Sequence, residues 1–187
     1  TVFYLENLWL QGAICVIIKK ISANGGIKMK FMHLADLHLG RSLNGFSFLE
    51  DQKYILEQII AIIRSEKVDT VLICGDIYDK TTPLAEAVGI FDEFVTALAS
   101  LNLKVFVISG NHDSAKRMSF AYRLVEKCGL YLAPSFNGTP VTVSANDEYG
   151  PVFIHMLPFI KTSAVKEFFP DCDIRSHHDA VRCALEV

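Results

Sequence analysis

Three short blocks of the chain carry groups able to hold a cation or move a proton. They are Asp36-Leu37-His38, Gly75-Asp76-Ile77-Tyr78-Asp79 and Gly110-Asn111-His112-Asp113. Each follows a mainly apolar run, MKFMHLA (29–35), TVLIC (70–74) and KVFVIS (104–109), the last two rich in β-branched residues. Carboxylate and amide oxygens together with imidazole nitrogens are a donor set for divalent cations, and imidazole also titrates near neutral pH. An extended backbone sends residues i and i+2 to the same side, which predicts that the Asp36 carboxylate and the His38 imidazole grip one cation together. The glycines fall where the chain must turn sharply away from a strand beside a crowded site. Singly, the blocks have ordinary readings as a solvated loop, a turn followed by a helix cap, and an Asx turn. Turn chemistry does not account for all three in succession, each at the end of a core strand.

The elements that must position these blocks follow from periodicity. A strand over 29–35 leads through a polar loop into a helix over 48–67, with Ile55, Leu56, Ile59, Ile60 and Ile63 on one face. Ser47 and Glu50 have the spacing of a capping box at its start. A strand over 70–74 is followed by a helix opened by Thr82-Pro83 that turns Leu84, Ala87, Val88, Phe91, Val95 and Leu98 inward, then by a strand over 104–109. VLIC and VFVI are apolar without alternation, which predicts a parallel sheet covered on both faces. Ligands in such sheets gather at the carboxyl ends of the strands, where all three blocks lie. Beyond them the pattern gives a helix over 115–127, short strands over 141–144 and 152–157, and helical segments near Ala164 and Asp179. There is no internal repeat and no low-complexity tract.

Composition bounds the partners. The chain has 187 residues, 51% of them hydrophobic and 21% charged, enough to bury the core of one globular domain. A net charge of -3 exerts no global pull toward nucleic acid or an acidic membrane, so a polyanionic substrate has to be held locally or through bound cations. No apolar run reaches the roughly 18 residues that span a bilayer, so no membrane association is expected. Five cysteines without a Cys-x-x-Cys pair fit a reduced, cytoplasmic setting. At the other extreme of the chain, ENLWLQG (6–12) resembles the protease site of expression tags, so residues 1–28 read as tag sequence, with Met29 or Met32 as the natural start.

In order and spacing the three blocks resemble the calcineurin-like metallophosphoesterases, whose pattern is Asp-x-His, Gly-Asp-x-x-Asp, Gly-Asn-His-Asp/Glu, a later His and a final Gly-His-x-His. The wider phrasing HLADLHLGRSLNG, ICGDIYDKTTP and VISGNHDSAKRMSF is similar, over about residues 29–134, to the SbcD-type nuclease branch of that family. The resemblance implies an α/β fold, a β-sandwich of mixed sheets flanked by helices. It implies a metal-dependent phosphodiesterase, a DNA exonuclease and endonuclease in repair and recombination, working with two divalent metal ions. Mn²⁺ is the first choice, with Fe, Zn or Mg as alternatives. Asp36 and His38 would hold one metal, Asp76 would bridge both, and Asn111 would give a neutral oxygen to the second. His112 would be the general acid, its ring oriented by Asp79, while Asp113 steadies the loop; a third metal ligand is the rival role for His112.

Arg41, Lys80, Lys116 and Arg117 lie near the blocks as candidate phosphate contacts, although each singly reads as surface charge. The implied partners are DNA, as double-strand ends and single strands, an SbcC-type ATPase, and a second copy in a homodimer. The pattern is also incomplete. The later His and the Gly-His-x-His are missing from the 187 residues, and His155, His177 and His178 lie in unrelated contexts. Residues 29–187 therefore read as the N-terminal portion of the nuclease domain, an incomplete domain with partial metal shells. Two further readings stand beside this one: a metallophosphoesterase acting on nucleotides or phosphoproteins, and a non-catalytic binding module on the same scaffold.

Overall fold

Short apolar runs bounded by turns pair readily as strands, and four of them lie side by side in the computed structural model, which describes residues 6–9, 15–20, 29–119, 126–147 and 150–186. These are β3 (Lys30–Ala35), β6 (Thr70–Cys74), β7 (Lys104–Ile108) and β8 (Leu130–Ala133), all parallel. The register sets Met32 beside Val71 and Val71 beside Val105, with Leu34, Ile73 and Val107 in the next aligned row. On the outer side of β3, β2 (Cys15–Lys20) and β1 (Glu6–Trp9) add antiparallel strands, giving a mixed sheet of order β1-β2-β3-β6-β7-β8.

Side chains alternate across this sheet, yet both faces are apolar. Met32, Leu34, Val71, Ile73, Val105 and Val107 pack on one side against α1 (Leu49–Glu66) and α2 (Ala85–Ser100), through Leu56, Ile59 and Ile63 of the first helix and Ala87, Ile90, Phe94 and Leu98 of the second. Phe31, Leu72, Phe106 and Ile108 face the other way, onto an antiparallel pair, β9 (Val141–Asp147) and β10 (Gly150–Met156), that contributes Val143, Ala145, Ile154 and Met156. Unbroken apolar strands are thus the signature of an α/β sandwich, helices on one face and a second sheet on the other. Each fully buried aliphatic side chain contributes roughly 1.5–3 kcal/mol, which makes the central rows the strongest part of the scaffold.

Several local expectations change. The polar loop after β3 contains a hairpin, β4 (Ser42–Leu43) with β5 (Phe46–Ser47). Because Ser47 ends that hairpin, Phe48 becomes the N-cap of α1, and no side chain caps it; Ser47 Oγ accepts only from the Leu49 N–H, at 3.3 Å. In α2 the inward stripe is Ala87, Ile90, Phe94 and Leu98, whereas Leu84 precedes the helix and, like Val88, is exposed. Two apolar stripes compete on that helix, and packing against α1 selects the one bearing Phe94. Of the helix expected over 115–127, α3 (Ala115–Met118) forms, residues 120–125 lie outside the described residues, and Glu126–Cys128 make a 3-10 turn leading into the unforeseen β8.

The last segment forms α4 (Thr162–Phe168) and α5 (His177–Leu185), the latter opened by a reciprocal cap between Ser176 and Asp179. They enclose a small core of Phe136, Ile160, Val165, Ile174, Ala180 and Ala184. Cys172 and Cys183 are joined there by a disulfide, contrary to the fully reduced set expected, because α5 brings back a cysteine eleven positions away. No helix among the described residues is long and apolar enough to cross a membrane.

Candidate metal centre

The parallel pairing of β3 and β6 continues past the ends of the strands. The Asp36 N–H donates to the Gly75 carbonyl (3.3 Å), the His38 N–H to Asp76 (2.9 Å) and the Leu39 N–H to Ile77 (2.8 Å), while the Asp79 N–H returns to Leu39 (3.1 Å). Leu37, Leu39 and Ile77 are fully buried beneath this ladder and anchor it to the main core. What remains at the surface end is Asp36, His38 and Asp76, and all three are left-handed, with φ of 57°, 43° and 49°. This conformation costs a non-glycine residue of order 1 kcal/mol and persists where surrounding bonds enforce it. The extended geometry expected for Asp36 and His38 is therefore replaced by two left-handed kinks around a buried leucine, and these kinks bring the side chains together.

Gln52 holds the same loop from below. Its Nε2 donates to the carbonyls of Leu37 (3.0 Å) and His38 (2.8 Å), and its Oε1 accepts from the Gly40 N–H (3.0 Å). A buried amide with three partners at the foot of the site escaped the sequence reading. Its signal was a polar residue four positions ahead of Leu56, on the stripe that continues through Ile59 and Ile63.

The third block meets the second through its glycine. A Cβ on Gly110 would run into the carboxylate and backbone nitrogen of Asp76, and one on Gly75 (φ 81°) would lie 2.8 Å from the Gly110 Cα. The Asp113 carboxylate knits the two turns together, accepting from the N–H groups of Gly110 (2.8 Å), Tyr78 (3.1 Å) and Ile77 (3.2 Å). The His112 N–H in turn donates to Asp76 Oδ1 at 3.0 Å.

Ligand-capable atoms of Asp36, His38 and Asp76 lie within 4.8 Å of one another. His38 Nε2 is 3.8 Å from both Asp36 Oδ1 and Asp76 Oδ2, too long for a hydrogen bond and suited to groups that share a cation. The buried Nδ1 of His38 has no hydrogen-bond partner among the described residues and lies 3.8 Å from Asp79 Oδ1. Two carboxylates around an imidazole, with Asp36 more than half exposed on the solvent side, fit a divalent ion with an accessible face.

His112 stands at the edge of this group, its ring edge-on to that of His38 at 5.0 Å between centroids. Its Nδ1 bonds to the backbone carbonyl of Asp79 at 2.9 Å, so the carbonyl rather than the expected carboxylate orients the ring, and the Asp79 carboxylate lies on the His38 side. That carbonyl raises the His112 pKa above the ordinary histidine value; desolvation opposes the shift, and the carboxylates of Asp76, Asp79 and Asp113 add to it. Asn111 is exposed, immediately after the glycine that touches Asp76. Arg41, Lys80, Lys116 and Arg117 are exposed around the three turns.

The three histidines that follow the third block stand apart. His155 bonds Thr142 Oγ1 at 2.9 Å across the β9–β10 pair, His177 stacks on Phe159 at 5.5 Å, and His178 is exposed at the start of α5.

Residues 29–182 match the calcineurin-like phosphoesterase family. The chain is 35% identical over 160 residues to the SbcD component of the nuclease SbcCD from Staphylococcus saprophyticus, covering 84% of this chain and 41% of that one. It is 36% identical over 159 residues to the protein of the same name in Staphylococcus epidermidis, with the same coverage. The chain thus spans about two fifths of the length of the curated relatives it matches. The extent of the family match, which takes in all three strand-end turns, means that the chain belongs to the calcineurin-like phosphoesterase family.

Proposed function

We propose that this chain is the N-terminal portion of a metal-dependent DNA nuclease of the SbcD type, acting in the cytoplasm in repair and recombination beside an SbcC-type ATPase and a second copy of itself. The observation that carries this reading is the convergence of Asp36, His38 and Asp76 at the ends of two adjacent parallel strands. The names of the staphylococcal relatives support the substrate class. Asp36 and His38 would hold one divalent ion, Asp76 would contribute to that ion and to a second, and Asn111 would give the second a neutral oxygen. Mn²⁺ is the ion expected. Bound in such a pair, divalent ions neutralise phosphate charge and lower the pKa of a coordinated water.

The remaining steps fall to the chain itself. The Asp79 carbonyl accepts from the His112 Nδ1–H, so His112 carries a second proton, on Nε2, only as the imidazolium, the form that this carbonyl and the neighbouring carboxylates favour. From Nε2 the imidazolium delivers its proton to the departing sugar oxygen and is left neutral. Asp113 keeps the His112 turn fixed against the Asp76 turn. Arg41, Lys80, Lys116 and Arg117 bind phosphates flanking the scissile bond, which positions DNA without reading bases and makes cleavage salt-sensitive.

Titration of the chain with Mn²⁺, followed by the loss of the free-ion resonance signal, tests the metal assignment. Binding in the wild type and its loss in Asp76→Ala are expected; a wild type that binds no divalent ion overturns it. In the full-length product of the gene, His112→Ala is expected to keep its metal and lose Mn²⁺-dependent cleavage of linear duplex DNA. Loss of metal in that variant would make His112 a ligand instead of the acid.

A further inference from the structure

Between Gly40 and α1 the chain builds a hairpin that neither packs in a core nor supplies a group to the metal centre. Its turn is Asn44-Gly45, both with positive φ (50° and 83°), as in the type I′ turns that suit two-residue hairpins. Leu43 and Phe46 are directly opposed across it and so project from the same face. They are 61% and 77% exposed, Phe46 being the most exposed large hydrophobic side chain among the described residues. A ladder this short has no stability of its own. Its placement comes from the stem: the Arg41 N–H donates to the His38 carbonyl (3.1 Å) and the Phe48 N–H to the Arg41 carbonyl (3.0 Å), while Gln52 bonds Leu37, His38 and Gly40. The apolar tip is thereby referenced to His38 through a few fixed peptides.

We infer that Leu43 and Phe46 form a stacking platform for an unpaired base next to the phosphodiester held at the metal centre. The inference rests on the DNA reading proposed above and adds to it a contact with the bases. Size decides the occupant. Arg41, Ser42, Asn44, Gly45 and Ser47 flank the pair along the hairpin, all exposed and none a large hydrophobic, so the hairpin itself offers two apolar side chains. A stable protein interface needs about 800 Å² per partner, well beyond what one aromatic and one aliphatic side chain present, whereas a single base needs one aromatic face. Arg41 at the stem supplies the cation for the phosphate attached to that base.

The test uses Phe46→Ala and Phe46→Trp in the full chain with Mn²⁺ present, with a dye-labelled single-stranded oligonucleotide and an abasic deoxyribose-phosphate oligomer of equal length. Phe46→Ala is expected to bind the oligonucleotide about tenfold more weakly, a loss typical of one base-aromatic contact, and the abasic oligomer as the wild type does. Phe46→Trp is expected to retain affinity and to show quenched indole emission with the oligonucleotide only, against the constant background of Trp9. Unchanged Mn²⁺ binding and unfolding midpoint in Phe46→Ala would establish that the variant is folded. If the wild type binds the oligonucleotide and Phe46→Ala binds it equally, without quenching in Phe46→Trp, the platform is overturned while the DNA reading stands. If the wild type binds neither oligomer, the DNA reading itself fails. Unaltered oligonucleotide affinity with reduced self-association in Phe46→Ala would reassign the pair to contact between copies, which also overturns the proposal.

Discussion

The segment from β3 to α3 and the segment from β8 to α5 have similar raw material but assemble it differently. Both contain carboxylates and histidines, and the second also contains a pair of cysteines. In the first, parallel strands deliver their carboxyl ends to one edge of the sheet, so the residues that follow β3, β6 and β7 meet whatever their distance in sequence. In the second, the β9–β10 pair is antiparallel, and adjacent strand ends belong to opposite chain directions. His155 and His177 then find separate local partners, a threonine hydroxyl and a phenyl ring. A polyvalent centre thus depends on chain direction as much as on which residues are present.

The largest separation between the two segments is expected at their glycines. Gly110→Ala pushes a methyl group into Asp76 and should cost about 3 kcal/mol or more together with divalent-ion binding, whereas Gly150→Ala meets open space and should cost only about 1 kcal/mol for its positive φ. Denaturant unfolding with parallel Mn²⁺ titration compares them, and equal losses would remove the distinction.

Next come two aspartates that each serve backbone amides. Asp113→Ala leaves three N–H groups in and around the site without their acceptor and should cost about 2–3 kcal/mol. Asp179→Ala removes only the exposed cap of α5, at about 1 kcal/mol. Chemical denaturation of the two variants side by side checks the ranking.

Gln52→Leu keeps the bulk of the side chain while stripping its three hydrogen bonds. It should lower the unfolding free energy by about 2 kcal/mol and weaken Mn²⁺ binding, because the His38 loop loses its support. Unaltered metal affinity in a folded Gln52→Leu variant would show that the backbone ladder alone suffices.

The smallest expected effect is on reactivity, not stability. Burial pushes the Cys74 thiol up to about 11, whereas Cys128 is exposed. Near pH 7.5 the thiolate fraction of Cys74 is then about a hundredfold or more below that of an ordinary cysteine, so alkylation followed by peptide mass mapping should label Cys128 first. Equal labelling would mean that the end of β6 opens readily.

How much of this was legible in the sequence varies with the kind of interaction. β6 runs from Thr70 to Cys74 as expected, because apolar runs covered on both faces declare themselves without reference to a partner. The three site turns were legible as residue types, but not the left-handed backbone of Asp36 and His38, which is imposed by bonds to a strand distant in sequence. The inward face of α2 was legible in part: Ala87 and Leu98 are buried and Phe91 and Val95 pack against the core as expected, whereas Leu84 and Val88 are exposed and Ile90 and Phe94 are buried in their place. The Cys172–Cys183 pairing is set by helix placement and leaves no local trace. The Asn44-Gly45 turn did leave a trace, in the dipeptide that favours two-residue hairpins, but the surrounding polar residues masked it.

The backbone ladder beyond β3 and β6 has a consequence for timing. Residues 36–39 and 75–79 are continuations of the sheet and not loose connections, so backbone pairing sets their placement. The amides there should exchange with deuterium about as slowly as those of the adjoining strands, with or without added cation. On the proposed metal reading, a cation would then meet groups already placed by the sheet, with no folding event in between.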